Sequence, residues 1–326
     1  MKGSPEQKLE TKREAWLMRT SKALDIRVAE ARELLSQERR QSIRLNPLIA
    51  NPEETAAQLP ALGWSGHAYS WIEHCYTIED GALAIRDSQL VDSGAVFVQN
   101  AASWLPVLAL SPKPGERILD VCAAPGGKSS HIAAITGNQS RLWVNDNSRP
   151  RLLKMQANLK RLGVLVKDST LYDATQLSRK LKGTTFDKIL LDAPCSGEGL
   201  MRYDRDKDFA TWSVAHVKRL QQLQKRILTQ AWQLLESGGT LVYSTCTMAP
   251  EENEAVVDYV LRTHPDAVVD PFSVDIGNKV PALQSWNGKA FSPAIEGCLR
   301  LKPSQDVEAF FVCKLKKVAT DDQYMI

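Results

Sequence analysis

The stretch Phe186-Asp187-Lys188-Ile189-Leu190-Leu191-Asp192-Ala193-Pro194-Cys195-Ser196-Gly197-Glu198-Gly199 decides how the chain is organised. Its apolar run at residues 189–191 predicts a strand buried on both faces of a parallel sheet. The run stops at Asp192, and a proline, a cysteine and two glycines follow. Open α/β sheets bind their ligands at the carboxyl ends of strands, so this segment predicts a site. Taken alone, it makes Cys195 a candidate nucleophile and Asp192 its polar partner.

A regular alternation of strands and helices surrounds this stretch. Strands are predicted over Arg117–Val121, Arg141–Asn145, Phe186–Leu191 and Thr240–Ser244. Helices are predicted over Gln99–Leu110, Lys128–Ile135, Pro150–Leu162, Val214–Leu235 and Glu251–Arg262. Near the C-terminus, two antiparallel strands at Cys298–Leu301 and Phe310–Leu315 would make the sheet mixed at one edge. The predicted fold class is therefore α/β, with a Rossmann-like, mostly parallel sheet covered by helices.

Residues 1–90 depart from this alternation and predict a smaller α+β domain. Its expected elements are a helix over Lys12–Gln37, a strand over Ser42–Pro47, a helix over Glu53–Leu62, and a hairpin turning at Asp80-Gly81. Residues 1–44 hold eleven Lys or Arg and seven acids, an excess of four that is larger than the whole chain's net charge of +3. Such an excess fits phosphate contacts, and a solvated helix surface explains it equally well. We predict domains at 1–90 and 91–318 and a C-terminal tail at 319–326.

The composition is that of a globular cytosolic protein. Of 326 residues, 43% are hydrophobic and 24% are charged, which allows one large core and a second, smaller one. No apolar run approaches the ~20 residues of a membrane span, and the polar N-terminus has no signal-peptide core. Six scattered cysteines form no CxxC pair, which argues against zinc and for free thiols. We expect a cytoplasmic monomer with no metal and no membrane partner.

A second candidate site is the loop Cys122-Ala123-Ala124-Pro125-Gly126-Gly127-Lys128, between a predicted strand and a predicted helix. Small residues let a ligand approach the backbone, and a helix start offers unpaired N–H groups. The spacing is neither GxGxxG nor that of the P-loop. Asp146 follows the next strand, where nucleotide-type folds hold a ribose diol, and Asp173 lies near the end of the third. Loop capping is the better explanation for either acid alone, but their recurrence at successive strand ends favours binding.

These motifs resemble those of a known family. Asp120–Lys128 is similar to the S-adenosylmethionine-binding motif of the Nol/Nop/Sun family of RNA (cytosine-5)-methyltransferases, which includes enzymes of the NSUN and RsmF types. Asp192–Gly197 resembles the family's second signature, and Tyr243-Ser244-Thr245-Cys246-Thr247 its third. Pro250-Glu251-Glu252-Asn253-Glu254 also fits. The similarity spans about Ile43 to Leu315 and is greatest to bacterial ribosomal RNA enzymes of the RsmF type.

The resemblance implies a cofactor, a partner and a set of site residues. It implies a methyltransferase domain of the class I, S-adenosylmethionine-dependent type, with RNA contacted by the smaller N-terminal domain. The cofactor would be bound by the Cys122–Lys128 loop, Asp146, Asp173 and Asp192. From the chemistry of the site we also expect Asp192 to contact the target base, and Lys128 to touch a carboxylate or a phosphate, or to orient Asp192. A surface position at the helix start is the alternative for Lys128.

Two cysteines compete for the role of nucleophile. Carbon 5 of cytosine does not take a methyl group directly, but a thiolate that adds to carbon 6 makes the ring an enamine whose carbon 5 attacks the methyl sulfonium. A base then removes the carbon 5 proton, and the thiolate leaves. Sequence alone does not rank the two: the Pro-Cys context of DNA enzymes favours Cys195. The resemblance to the RNA family implies instead that Cys246 attacks and that Cys195 helps to release the product.

The expected function is conversion of a cytosine in rRNA or tRNA to 5-methylcytosine, an RNA modification. One alternative is a catalytically silent, cofactor-binding RNA assembly factor, which would tolerate the loss of either cysteine. Another is DNA cytosine-5 methylation, which the lack of an obvious Glu-Asn-Val motif disfavours. The remaining cysteines are expected to be structural thiols: Cys75, Cys122, Cys298 and Cys313.

Overall fold

The computed structural model describes residues 4–319; residues 1–3, and residues 320–326 of the predicted tail, lie outside the described residues. In chain order, the helices are α1 (Pro5–Leu24), α2 (Val28–Ser36), α3 (Pro52–Ala56), α4 (Ala82–Arg86), α5 (Gln89–Asp92), α6 (Leu105–Leu110), α7 (Gly127–Ile135), α8 (Arg149–Arg161), α9 (Leu177–Lys180), α10 (Val214–Leu234) and α11 (Glu254–Thr263). The strands are β1 (Gln41–Leu45), β2 (Cys75–Ile78), β3 (Val96–Val98), β4 (Arg117–Asp120), β5 (Arg141–Asn145), β6 (Asp168–Thr170), β7 (Phe186–Asp192), β8 (Leu235–Thr245), β9 (Ala267–Val269), β10 (Lys279–Val280), β11 (Ser285–Trp286), β12 (Lys289–Ala290), β13 (Leu299–Leu301) and β14 (Phe310–Lys317). Short 3₁₀ helices lie at Leu59–Leu62, Ala101–Trp104, Ala174–Gln176, Glu198–Leu200, Asp206–Phe209 and Pro293–Gly297.

The main sheet has the strand order β10-β13-β14-β8-β7-β4-β5-β6, and β9 pairs with β14. Neighbours from β8 to β6 are parallel, whereas β14 is antiparallel to β8, β9 and β13. The predicted Rossmann-like α/β fold with a mixed sheet edge is confirmed. From β4 the chain builds β5 and β6 on one side, then returns to build β7 and β8 on the other. This reversal opens a crevice at the carboxyl ends of β4 and β7, where such sheets bind ligands.

Apolar side chains fill the space on both faces of the main sheet. Leu190 of β7 belongs to the core cluster that includes residues of α6, α7 and α8. Its neighbours Ile189 and Leu191 belong to the opposite cluster, with α10 and α11. All three are fully buried. Burial on both faces explains why this strand is a continuous apolar run.

The N-terminal part forms a three-stranded antiparallel sheet in the order β2-β1-β3. Its small core contains Ile43, Leu45, Ile78 and Val96. The strand β3 lies on the C-terminal side of residue 90, the expected domain boundary, because the chain returns to pair with β1 before it enters the main sheet. The division into domains 1–90 and 91–318 stays a prediction.

The single helix expected over Lys12–Gln37 is wrong. The chain forms α1 and α2 instead, separated by Asp25 in a left-handed conformation with φ of 53°. Residues of both helices, among them Trp16 and Ala31, pack into one cluster. Because both helices bury an apolar face in that cluster, the helical spacing continues across the break and does not reveal it.

The predicted hairpin at Asp80-Gly81 is also wrong. β2 pairs with β1, and the residues after Gly81 form the short helix α4, in which Ile85 is the buried residue. Alanine and leucine are strong helix formers, and a short apolar run does not distinguish a strand from a helix. The helix expected from Glu251 begins at Glu254. The side chains of residues 251–253 instead bond to Arg19 of α1 and to the loops at Ser196 and Thr247.

Over the described range 4–319, no helix is long and apolar enough to cross a membrane. In the same range, no three His, Cys, Asp or Glu side chains are grouped so that they could hold a metal ion. The expected absence of a metal partner stays a prediction.

Candidate active site

A cleft with a volume of about 250 Å³ opens at the carboxyl ends of β4 and β7. One wall is the loop between β4 and α7, and the other consists of the end of β3 and the residues that follow it. The lining residues are Phe97, Val98, Gln99, Asn100, Ser103, Asp120, Cys122, Ala123, Ala124, Pro125, Gly127, Lys128 and Asp192. Six of the seven predicted loop residues therefore share one cavity with Asp192.

The two glycines of the loop have separate structural roles. Gly126 has φ of +101°, a left-handed conformation that favours glycine, and it turns the chain into α7. A Cβ on Gly127 would lie 2.9 Å from Gln99 Nε2 and 3.1 Å from the Phe97 ring. A side chain at Gly127 would therefore crowd the Phe97 ring and require Gln99 to move.

Asp120 opens the resembled motif, but the sequence alone assigned it no role in the site. It lines the cleft and is 1% exposed. Its Oδ2 accepts a hydrogen bond of 2.6 Å from Ser129 Oγ, and within residues 4–319 its Oδ1 has no partner. Burial raises the pKa of Asp120 to about 7. A free carboxylate oxygen in a buried cleft suits a cationic ligand group. The available signal was a charged residue at the end of an otherwise apolar strand.

The other two predicted acids are engaged in bonds of their own. Asp146 is buried; its Oδ1 accepts the Ser148 N–H at 2.9 Å, and its Oδ2 lies 3.1 Å from Arg151 Nη2. Asp173 is exposed, and its Oδ1 accepts hydrogen bonds from the N–H and the hydroxyl of Thr175. These bonds lower the pKa of Asp173. Asp173 thus makes the capping contacts given as the alternative, and the cofactor roles of both acids stay predictions.

Lys128 and Asp192 form an ion pair across the cleft, with Nζ 2.7 Å from Oδ2. The other carboxylate oxygen of Asp192 accepts a 2.8 Å hydrogen bond from Ser244 Oγ. Burial alone lowers the pKa of Lys128, but the Asp192 carboxylate outweighs it and leaves the pKa raised. Lys128 is therefore a cation that joins the start of α7 to the ends of β7 and β8.

Cys195 and Cys246 meet at the ends of β7 and β8, with their Sγ atoms 3.4 Å apart. Both residues are half-buried. The hydrogen bond with Cys246, together with burial, raises the pKa of Cys195 well above its usual value. Either sulfur can be the donor in this contact. The two thiols are therefore close enough to pass a proton between them.

Glu252 fastens the loop that carries Cys195 to the loop that carries Cys246. Its Oε1 accepts hydrogen bonds from the Ser196 N–H and from Gln224 Nε2, both at 2.9 Å. Its Oε2 accepts from Ser196 Oγ at 2.5 Å and from Thr247 Oγ1 at 3.2 Å. Burial raises the pKa of Glu252, and these four bonds oppose the rise. The run Pro250–Glu254 was the sequence signal for this contact, but it assigned no partner.

Gly199 allows three chain segments to meet behind the two cysteines. Its N–H donates to Cys246 O at 2.9 Å. A Cβ at this position would lie 2.3 Å from Ala309 O and 2.8 Å from Cys246 O. Any side chain here would displace the backbone that carries Cys246.

Sequence and structure comparisons point to one family. The chain matches the family described as 16S rRNA methyltransferase RsmB/F over residues 107–316. A tRNA (cytosine(49)-C(5))-methyltransferase of Pyrococcus abyssi is 37% identical over 286 residues, which cover 85% of this chain and 88% of that protein. The Ribosomal RNA small subunit methyltransferase F of Klebsiella pneumoniae is 37% identical over 290 residues, 87% of this chain and 58% of that protein. The chain thus spans less than two thirds of the length of this second relative.

Comparison of the fold with solved structures points to the same family. A solved methyltransferase homolog from Pyrococcus horikoshii matches with a TM-score of 0.77 and 30% identity, over 93% of this chain and 99% of that chain. The resemblance inferred from the three motifs is confirmed. The chain belongs to the RsmB/F family of methyltransferases, within the Nol/Nop/Sun group.

Proposed function

We propose that this protein is an S-adenosylmethionine-dependent RNA (cytosine-5)-methyltransferase. The observation that carries the proposal is the 3.4 Å contact between the thiols of Cys195 and Cys246. Beside it lies the ion pair of Lys128 and Asp192. Methylation at carbon 5 needs one sulfur to add to carbon 6 and further groups to hold and move protons. A protein that only binds RNA has no need for two thiols in contact at the ends of separate strands.

The cleft residues fit S-adenosylmethionine. The small-residue loop admits a ligand against the backbone, and Asp120 has an unpartnered oxygen, among the described residues, for a cationic group. When bound, the cofactor supplies an electrophilic methyl group. We assign its binding to the Cys122–Lys128 loop, with Asp120, Asp146, Asp173 and Asp192.

Cys246 is the proposed nucleophile because the Thr-Cys cysteine attacks in the RNA family to which the chain's motifs correspond. The Cys195 sulfur lies 3.4 Å from it, and the charge of Lys128 is close enough to interact with it. The Cys246 sulfur bonds to carbon 6 of the cytosine, and carbon 5 takes the methyl group. A base then removes the carbon 5 proton, the bond between carbon 6 and sulfur breaks, and Cys195 assists this release.

Asp192 and Lys128 position the reacting groups. Asp192 is held from two sides, by Lys128 and by Ser244, so its carboxylate has a fixed direction. We propose that it contacts the exocyclic amine or N3 of the target cytosine as well as the cofactor. Lys128 orients it and places one positive charge near the attacking sulfur.

The substrate class follows the relatives, whose names specify tRNA in one case and small-subunit rRNA in the other. We propose an RNA of one of these kinds, contacted in part by residues 1–90. The target base must be unpaired or flipped out, because carbon 6 is inaccessible inside a duplex. The enzyme would act in the cytoplasm as a monomer without a metal ion, in rRNA or tRNA processing.

Methyl transfer tests the proposal directly. The protein is incubated with labelled S-adenosylmethionine and cellular RNA, and the product is mapped by bisulfite sequencing. We expect 5-methylcytosine at discrete positions, and none with Cys246→Ala. RNA and DNA compete in the same assay, and preferential labelling of DNA would favour the DNA enzyme. Cofactor binding without labelling of any RNA would favour the silent assembly factor.

A further inference from the structure

A second cavity, with a volume of about 690 Å³, lies outside the cofactor cleft. Its walls are formed by β1, the segment 68–74, α6 and α7. The residues that line it and those that line the cofactor cleft are two separate sets. A cavity of this size is in the range that binds small ligands.

Arg44 brings an unpaired buried charge to this cavity. It is 3% exposed, and its Nη2 donates to Ser130 Oγ at 2.8 Å. Within residues 4–319, its Nε and Nη1 have no hydrogen-bond partner, and no carboxylate pairs with it. Both nitrogens have almost no accessible surface, so a ligand oxygen reaches them only through a shift of the side chain. Burial lowers the pKa of Arg44 to about 10, so it is still a cation at neutral pH. A buried guanidinium in this state calls for an anionic or carbonyl oxygen.

His131 is the second unsatisfied group. It is 5% exposed, it lines the same cavity, and its Nδ1 has no partner among the described residues. Burial, together with the nearby charge of Arg44, lowers the pKa of His131 well below its usual value. Its ring is therefore neutral and offers hydrogen bonding without adding charge.

Aromatic rings form part of the wall. Tyr69 and Trp71 line the cavity, and their ring centres are 5.3 Å apart in an edge-on arrangement. Trp104 contacts both, at 5.3 Å and 5.9 Å, and holds them in place. Tyr69 is buried, whereas Trp71 is half-buried. Fixed aromatic rings next to an arginine are the usual means of binding an unstacked base.

The charges of the residues that line the cavity indicate which kind of nucleotide it would bind. Of the described residues that line the cavity, Arg44 is the single Lys or Arg, and Glu73 adds an exposed carboxylate. A free nucleotide carries two or more negative charges on its phosphate groups, whereas a phosphodiester within an RNA chain carries one. One buried cation with a carboxylate nearby suits the phosphodiester better.

We propose that this cavity binds one unpaired nucleotide of the RNA substrate, with its base against Trp71 and an oxygen of the nucleotide on Arg44. This inference rests on the proposed function and adds an RNA-binding site outside the methylation cleft. The Arg44 guanidinium lies 5.9 Å from the ring centre of Phe97, which lines the cofactor cleft. A nucleotide held here would anchor the RNA strand close to the reacting base.

Filling the cavity is the sharpest test, because it leaves Arg44 and its bond to Ser130 in place. Ala134 lines the cavity and is half-buried, so Ala134→Phe introduces a ring there. Ala157→Phe, on the exposed face of α8, is the matched control. The dissociation constant of a fluorescently labelled single-stranded RNA of mixed sequence is measured by anisotropy. We expect about a tenfold increase for Ala134→Phe, the loss expected for one stacked base, and no change for the control.

The readouts separate this proposal from the proposed function. Ala134→Phe should bind S-adenosylmethionine normally and raise the KM for RNA with kcat unchanged. Equal RNA affinity in the two variants, or no RNA binding by the unmodified protein, overturns the inference. Displacement of the RNA by uridine 5′-monophosphate at low concentration would identify a free-nucleotide site and would also overturn it.

A measurement on the unmodified protein covers the case in which Ala134→Phe does not fold. RNA containing 4-thiouridine is crosslinked to the protein by light, and the attached peptides are identified by mass spectrometry. Crosslinks within 68–74 support the inference, and crosslinks confined to other segments contradict it. Crosslinks within 68–74 in a protein that methylates no RNA would sustain the cavity site and reject the methyltransferase function.

Discussion

The Sγ atoms of Cys195 and Cys246 lie 3.4 Å apart although 51 positions separate them in the chain. The contact exists because β7 and β8 are parallel neighbours, with Asp192 opposite Ser244 in the register. Cys195 lies three residues after the end of β7, and Cys246 directly follows the end of β8. Glu252 connects the two loops. Because the two sulfurs are in contact, a proton held on either one can be donated towards the other.

Alanine substitutions should separate the roles of the two cysteines. Cys246→Ala removes the proposed nucleophile, so methyl transfer should fall by more than about 10³-fold. Cys195→Ala should instead accumulate a protein–RNA adduct that survives denaturing electrophoresis, because attack remains while release fails. The control is the double variant, which should form no adduct. Full activity of Cys246→Ala would reverse the assignment.

Oxidation should join the same two sulfurs. Diamide accepts two electrons and two protons from a thiol pair, becomes the hydrazine, and leaves a disulfide. A disulfide has an S–S length of about 2.05 Å, so a small rotation of two half-buried side chains is sufficient. We expect methyl transfer to stop and to return with dithiothreitol. Peptide mapping should find Cys195 linked to Cys246 and the buried Cys75 still a free thiol; a link elsewhere would exclude this account.

Lys128→Met tests the ion pair in the cleft. The substitution keeps most of the side-chain length but leaves the Asp192 carboxylate without its cation, and the Cys246 sulfur without a nearby positive charge. We expect kcat to fall about 100-fold and stability to fall by about 1–3 kcal/mol. Lys160→Met, at an exposed position of α8, is the matched control and should change neither. Steady-state kinetics and urea unfolding measure the two effects, and an unchanged kcat would remove Lys128 from the mechanism.

Gly199→Ala tests the close approach behind the cysteines. Its Cβ would meet Ala309 O at 2.3 Å and Cys246 O at 2.8 Å, both backbone atoms that cannot rotate away. We expect a loss of about 1–3 kcal/mol in the free energy of unfolding, together with a lower rate of adduct formation. Gly277→Ala is the control, because a Cβ there meets no atom within 4 Å. Equal stability of the two variants would show that the loop adjusts without cost.

The affinity for S-adenosylmethionine should depend on pH through Asp120. Burial raises the pKa of Asp120 to about 7, so the carboxyl group is mostly neutral below that pH and mostly anionic above it. A cationic ligand binds the anionic form, and affinity should therefore increase from about pH 6 to about pH 7.5. Calorimetric titration measures the trend, and Asp120→Asn should bind more weakly with a flatter profile. A steep profile retained in that variant would assign the effect to another group.

Much of the main sheet was predictable because its signals are local. The run at 189–191 is apolar throughout since β7 is buried on both faces, and α7 begins beside the glycines that the motif contains. The N-terminal part was predicted less well. The apolar residues of α1 and α2 keep one helical spacing across Asp25, so the sequence does not show that the helix breaks there. The apolar run after Gly81 is too short to distinguish a helix from a strand.

What the sequence by itself determined was the fold class, the family and the residue types at the strand ends, since these depend on periodicity and on contiguous motifs. Only the tertiary structure decided which of those residues meet. In the structure, Cys195 contacts Cys246, and Lys128 pairs with Asp192. One oxygen of Asp120 has no partner among the described residues, and Asp173 makes capping hydrogen bonds with Thr175. The physical reason is that strand order and register fix distances between residues far apart in the chain, and neither is encoded in any single stretch.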